Sequence, residues 1–253
     1  MWAQAAPVLY TLFAWWFSTG VILYLIGLPR RTHKWTMAAS TLLLGAALFT
    51  VARTAGDSSH AAAYAGFTAA LGVWAWQEIA FLLGYVTGPR RQPCPDQARG
   101  WARVRLALQA VLHHELALLL LGALLLALSW GQPNQCAWIT FVILWVMRLS
   151  AKLNVFLGVR NLNEQFLPAH LAYLPSYFRQ RRMNGLFPLS VLAASVVAVL
   201  MWQAALGPGQ AAGEQAAALL AATLLSLGLL EHWFMVLPLP SQALWQWGLR
   251  SRP

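Results

Sequence analysis

Residues 104–130 read VRLALQAVLHHELALLLLGALLLALSW, and residues 116–130 of this stretch contain no ionisable side chain. An α-helix rises about 1.5 Å per residue, so about 20 apolar residues cross a hydrocarbon core that is about 30 Å thick. The stretch is therefore predicted to be a transmembrane helix, with two histidines and a glutamate in its first half.

Six further apolar segments extend this pattern along the chain, which is 59% hydrophobic and only 9% charged with a mean hydropathy of +0.57. Soluble domains are about 25% charged, so an ordinary soluble enzyme is excluded. We predict an all-α, polytopic integral membrane protein: one domain over residues 1–253, with seven transmembrane helices in the lipid bilayer. The other six predicted spans are 7–28, 35–51, 61–87, 136–159, 186–206 and 211–237.

The basic residues predict an orientation. Cytoplasmic loops of membrane proteins carry the excess of Lys and Arg. Seven spans place 16 of the 17 cations on one side or in the adjacent half of a span, and only Arg53 on the other. The N-terminus is thus predicted outside and the C-terminus in the cytoplasm, and the net charge of +10 does not indicate nucleic-acid binding. The 16 cations are Arg30, Arg31, Lys34, Arg90, Arg91, Arg99, Arg103, Arg105, Arg148, Lys152, Arg160, Arg179, Arg181, Arg182, Arg250 and Arg252.

The loop at 160–183 is the only long one, and it alternates apolar and polar residues too densely for a flexible linker. Pro168 and Pro175 break it into short turns. We expect it to lie at the interface under the bundle, with its apolar side chains in the lipid boundary and its arginines near anionic lipid. A docking site for a partner is the alternative. The apolar side chains are Phe166, Leu167, Leu171, Tyr173, Leu174, Tyr177 and Phe178.

Ionisable groups inside spans are costly, which makes each one a functional candidate. Counted from the cytoplasmic ends, eight of them lie at similar depths of roughly 8 to 17 Å. We therefore expect them to meet in the bundle as one polar layer. Arg148 and Lys152 are four residues apart and share a helix face. The layer consists of Glu78, His113, His114, Glu115, Arg148, Lys152, Glu231 and His232, together with the polar Asn154.

Two interpretations of this layer remain open. It is either a buried ion-pair network that fixes helix register, or a site for a ligand such as a tetrapyrrole, a quinone, a haem or a metal. The nearby cations and the absence of Glu-x-x-His pairs disfavour a metal. The residues able to hold one are Glu78, His114, Glu115, Glu231 and His232. Glu164 and His170 either close the layer from below or lie solvated in the loop.

Five segments resemble one known family over nearly the whole chain. They are WWFSTG (15–20), LPRRTHKW (28–35), YVTGPRR (85–91), HHELAL (113–118) and WVMRLSAKLNVFLGVRNLNEQFLPAHLAYLPSYF (145–178). The family is PuhE, the photosynthetic complex assembly proteins of purple phototrophic bacteria. The resemblance implies a bacterial inner-membrane protein, encoded near the reaction-centre H subunit, that affects complex assembly and bacteriochlorophyll supply. It implies no catalytic residue, but the matching segments contain Asn154, Glu164 and His170 together with part of the polar layer.

Two functions follow as hypotheses. The first is a non-enzymatic assembly factor that engages photosynthetic complex subunits or pigment-synthesis enzymes, with transient binding of bacteriochlorophyll or a precursor. The alternative is a membrane enzyme that acts on a tetrapyrrole, carotenoid or quinone through the intramembrane His and Glu residues. Transport is a third possibility, although the sequence shows no internal repeat of transporter type.

Overall fold

A computed structural model describes residues 2–251, without the side chains of residues 2, 3 and 241. Arg252, counted above with the cytoplasmic cations, lies outside the described residues. Residues 2–251 form helices and turns, with one isolated bridge between Val159 and Gln180 and no strand. The helices are α1 (Trp2–Gly27), α2 (His33–Thr54), α3 (His60–Leu82), α4 (Gly100–Ser129), α5 (Cys136–Leu157), α6 (Leu186–Leu206), α7 (Ala212–Phe234) and the short α8 (Gln246–Leu249).

The all-α prediction is confirmed, and the seven long helices overlap the seven predicted segments. Six of them, α1, α2 and α4 to α7, are long and apolar enough to cross a membrane. The other, α3, lies at the centre of the bundle, because it packs against α1, α2, α4, α5 and α7. Its contact surface is rich in small residues such as Ala70 and also contains the buried Gln77 and Glu78. A helix surrounded by other helices needs less apolar surface than one that faces lipid.

At one end of the bundle, the connections between α2 and α3 and between α4 and α5 are short and held by side-chain hydrogen bonds. Ser59 caps α3 by accepting a hydrogen bond from the Ala62 amide at 3.2 Å. Asn134, which precedes α5, donates to the Thr54 carbonyl at 3.1 Å and to the Ala62 carbonyl at 3.0 Å. One buried amide therefore fixes the ends of α2, α3 and α5 relative to one another.

At the opposite end of the bundle, which we call the basic end, α3 stops at Leu82 and α7 at Phe234, earlier than the predicted 87 and 237. The 160–183 loop fills the space beneath α3. Four of its apolar side chains are 1 to 9% exposed and pack with Leu82 and Trp245. They therefore lie against protein, and the expectation that they lie in the lipid boundary is wrong. These side chains are Leu171, Tyr173, Leu174 and Tyr177.

The C-terminal segment folds back along α1. Trp245 donates a hydrogen bond to the Trp16 carbonyl at 3.0 Å, and Ser251 donates to the Tyr24 carbonyl at 2.6 Å. The contact depends on two glycines, because a Cβ on Gly248 would lie 2.4 Å from the Gly20 carbonyl oxygen. The segment therefore closes the basic end beside α1.

Candidate functional site

One turn of α5 connects three other helices at the same height. Arg148 forms an ion pair with Glu78 of α3 at 2.8 Å, and Lys152 forms one with Glu115 of α4 at 2.6 Å. Between them, Ser150 is hydrogen-bonded to Nε2 of His232 on α7 at 2.9 Å. The structure thus brings α3, α4, α5 and α7 together through the residues that the depth estimate selected.

Glu231 joins this layer through a different contact. Its carboxylate accepts a hydrogen bond from the indole of Trp15 on α1 at 2.7 Å. Arg148 and Glu78 are close enough to interact with it electrostatically. The sequence does not indicate Trp15 as the partner of Glu231, because nothing in it shows that α1 and α7 are neighbours.

The two adjacent histidines of α4 have different environments. His114 is 1% exposed, its ring lies 4.6 Å from that of Phe81, and its Nδ1 has no partner within residues 2–251. His113 is exposed on another face of the helix, as expected for neighbours about 100° apart. The structure therefore places His114 inside the bundle and His113 outside it. Gln77, which sequence reasoning passed over, is fully buried, and neither of its amide atoms has a partner among the described residues.

Asn154 belongs to a structural joint between α5 and α6. Its side-chain amide donates to the Ser150 carbonyl and to Ser190 at 3.0 and 3.1 Å. Asn184 donates to the carbonyl and Oδ1 of Asn154 and to the Gly158 carbonyl, at 3.0 to 3.1 Å. The Asn184 side-chain oxygen accepts from the first amides of α6 at 2.8 and 3.2 Å. Sequence reasoning missed Asn184, although Asn just before an apolar run is an N-cap signal.

The two loop candidates do not lie together. Glu164 is exposed and lines a surface cleft with Arg160, Gln180 and Pro240. His170 packs beneath α3, with its Nε2 within 3.2 Å of the position that a Cβ on Gly84 would occupy. The structure thus separates the two residues that were expected to close the layer from below.

Burial lowers the pKa of His170 below its ordinary value, and nearby Arg30 and Arg91 act in the same direction. The unfolded chain therefore binds a proton at this residue more readily than the folded protein does. We predict that stability is lost as the pH falls through about 6.5, and that His170→Gln weakens this loss. Thermal unfolding of the two proteins at pH 7.5 and 5.5 measures it. Equal losses in both would contradict the assignment.

The structure does not bring together the five residues that were considered able to hold a metal ion. Within residues 2–251, no three His, Cys, Asp or Glu side chains are close enough to share a metal ion. Glu78 and Glu115 neutralise one cation each, Glu231 binds an indole, and His232 uses both ring nitrogens, the second on the Gly228 carbonyl at 2.8 Å. What the arrangement provides is two ion pairs and a third carboxylate.

An all-helical bundle with six membrane-length apolar helices and charged groups paired within it defines a multi-pass membrane protein. This chain belongs to the family described as Protein of unknown function (DUF3623), whose model matches residues 1–253. It is 42% identical over 247 residues to the Rhodobacter capsulatus protein named "Uncharacterized 30.4 kDa protein in puhA 5'region". That alignment covers 96% of this chain and 90% of the relative. No solved structure matches the chain.

Proposed function

We propose that this protein is a bacterial inner-membrane assembly factor of the PuhE type for photosynthetic reaction-centre or light-harvesting complexes, and that it modulates the supply or delivery of bacteriochlorophyll to them. The observation that carries the proposal is the 42% identity, over 96% of the chain, to a protein whose name places it in the puhA 5' region. Its direct partners are subunits of these complexes or pigment-synthesis enzymes. The described residues offer no metal cluster that would favour the membrane-enzyme alternative.

The architecture supports a docking role at the basic end. The loop and tail segments at this end are packed into a core cluster, so they present a fixed surface. Arg160, Arg181 and Arg182 are exposed on this surface. An ordered, basic surface beside the membrane suits docking to acidic segments of membrane subunits.

We also propose seven spans, with the N-terminus outside and the C-terminus in the cytoplasm. The central position of α3 supports its role as the seventh span, and the distribution of cations supports the orientation. Alkaline phosphatase and green fluorescent protein fusions after Gly56, Cys94 and Gly207 test the proposal. Phosphatase activity is expected after Gly56 and Gly207 and fluorescence after Cys94. Any other pattern would refute the topology.

A deletion strain grown under phototrophic conditions tests the function. We expect a general decrease in assembled reaction-centre and light-harvesting complexes, without accumulation of one pigment precursor. Wild-type protein and the control Arg53→Ala, in the last turn of α2, should both restore the complexes, whereas Arg160→Ala combined with Arg182→Ala should not. Accumulation of a single precursor would favour the enzyme instead, and unchanged complexes would refute a photosynthetic role.

A further inference from the structure

Glu231 has an unusual position on α7. The exposed face of this part of the helix carries Leu230 and Trp233, which are 41 and 42% exposed. At 100° per residue, Glu231 points away from this face, to a side where Leu227 and Gly228 are buried. Glu231 is nevertheless exposed. A side chain that is accessible on the inward face of a helix indicates open space inside the bundle.

Arg148 borders the same space. It lies on the inward side of α5, as its pairing with Glu78 of the enclosed α3 requires, yet its side chain is 42% exposed. Within residues 2–251, the Arg148 guanidinium makes one hydrogen bond, to Glu78. Most of its five N–H donors are therefore free. We call the space bordered by Trp15, Glu78, Arg148 and Glu231 the inner chamber.

The chamber has an aromatic floor at the basic end. The ring of Trp245 lies edge-on to Trp15 at 5.2 Å and to Phe166 at 6.3 Å. Trp245 is only 5% exposed and supports this wall from behind, whereas the Trp15 ring in front of it is partly exposed. A polar space with an aromatic wall fits an amphiphile whose polar head lies among the charges and whose apolar part lies against the rings.

The charges of the chamber select among possible head groups. Two carboxylates face one guanidinium, so an anionic head would add a like charge next to Glu231 and Glu78. Arg148 has free donors, and the Glu231 carboxylate, which can accept several hydrogen bonds, accepts one from Trp15 within residues 2–251. We propose that the inner chamber binds the neutral head of a membrane amphiphile, a head that accepts from Arg148 and donates to Glu231, as a hydroxyl group does. This inference rests on side-chain positions and is independent of the photosynthetic role.

Two probes with the same chain length test the head-group selectivity. Native mass spectrometry of the full chain should show 1-dodecanol bound at least about tenfold more tightly than dodecanoate, which corresponds to about 1.4 kcal/mol. Glu231→Gln keeps the side-chain volume and removes a negative charge, so it should gain dodecanoate binding by a similar factor. Glu214→Gln, at the exposed first turn of α7, is the matched control and should change the binding of neither 1-dodecanol nor dodecanoate. Equal binding of both probes by the wild type, or an unchanged Glu231→Gln variant, would overturn the proposal.

Accessibility of the chamber to water is tested separately. In a Cys94→Ser, Cys136→Ala background, Glu231→Cys should react with a small water-soluble methanethiosulfonate in membrane vesicles. Leu230→Cys, about 100° away on the exposed apolar face of α7, should react at least about tenfold more slowly, because the reactive thiolate does not form in hydrocarbon. Equal rates would show that no hydrated space exists at Glu231 and would refute the chamber.

Discussion

Arg148→Leu should lower the free energy of unfolding by about 1 to 3 kcal/mol, the cost of leaving a buried acceptor without its hydrogen-bond donor. The remaining partner, Glu78, has a side chain that is only 10% exposed, and its second oxygen already lacks a partner within residues 2–251. An unpaired carboxylate at that position is surrounded by helices and apolar side chains. Unfolding by sodium dodecyl sulfate in mixed micelles measures the loss.

The reverse substitution should cost less. Glu78→Leu leaves Arg148 unpaired, but that side chain is 42% exposed and remains hydrated in the chamber. The double variant Glu78→Leu, Arg148→Leu should be more stable than Arg148→Leu alone, because apolar replacement of a whole buried pair is often neutral. Arg53→Leu, which replaces an exposed cation in the last turn of α2, is the control and should be near neutral. If the double variant lost the sum of both single losses, the pair would not be coupled.

The heights of the ionisable groups could be predicted from the sequence, but most of their partners could not. Height follows from the constant rise of a helix, which is a local property. The pairing of Glu231 with Trp15 depends on α1 and α7 being neighbours, which is a property of the whole fold. Similarly, the inward face of His114 became evident only once α3 was placed beside α4. Local rules therefore located the layer, and tertiary packing determined what each residue in it does.

The position of the 160–183 loop shows the same limit. Its apolar residues were recognised, and an interface with lipid was the natural expectation for such a sequence. The structure buries them because α3 ends at Leu82, which leaves a space that the loop occupies. The end of a helix is the least reliable feature of a sequence pattern. An error of five residues in the end of α3 thus changed the neighbours of the whole loop.

Asn184→Asp should be more harmful than Asn184→Ala, although Asp is closer to Asn in size. The Asn184 Nδ2 group donates to three acceptors, the Asn154 carbonyl, the Asn154 side-chain oxygen and the Gly158 carbonyl. In Asp, an oxygen would face these three oxygens at a position where the residue is only 9% exposed. Ala leaves acceptors unsatisfied, at about 1 to 3 kcal/mol each, whereas Asp adds charge repulsion to that loss.

The comparison isolates the role of the Asn184 Nδ2 group. Asp keeps the side-chain oxygen that accepts from the Leu186 and Phe187 amides, and so it keeps the cap of α6. The order of stability in mixed-micelle unfolding should be wild type, then Ala, then Asp, with Asp lower than wild type by more than about 3 kcal/mol. Asn163→Asp is the matched control, since its left-handed backbone also suits Asp and its side-chain oxygen already accepts from Gln165. Asp at least as stable as Ala at position 184 would mean that Nδ2 does not hold α5 to α6, and that the oxygen cap alone makes the joint.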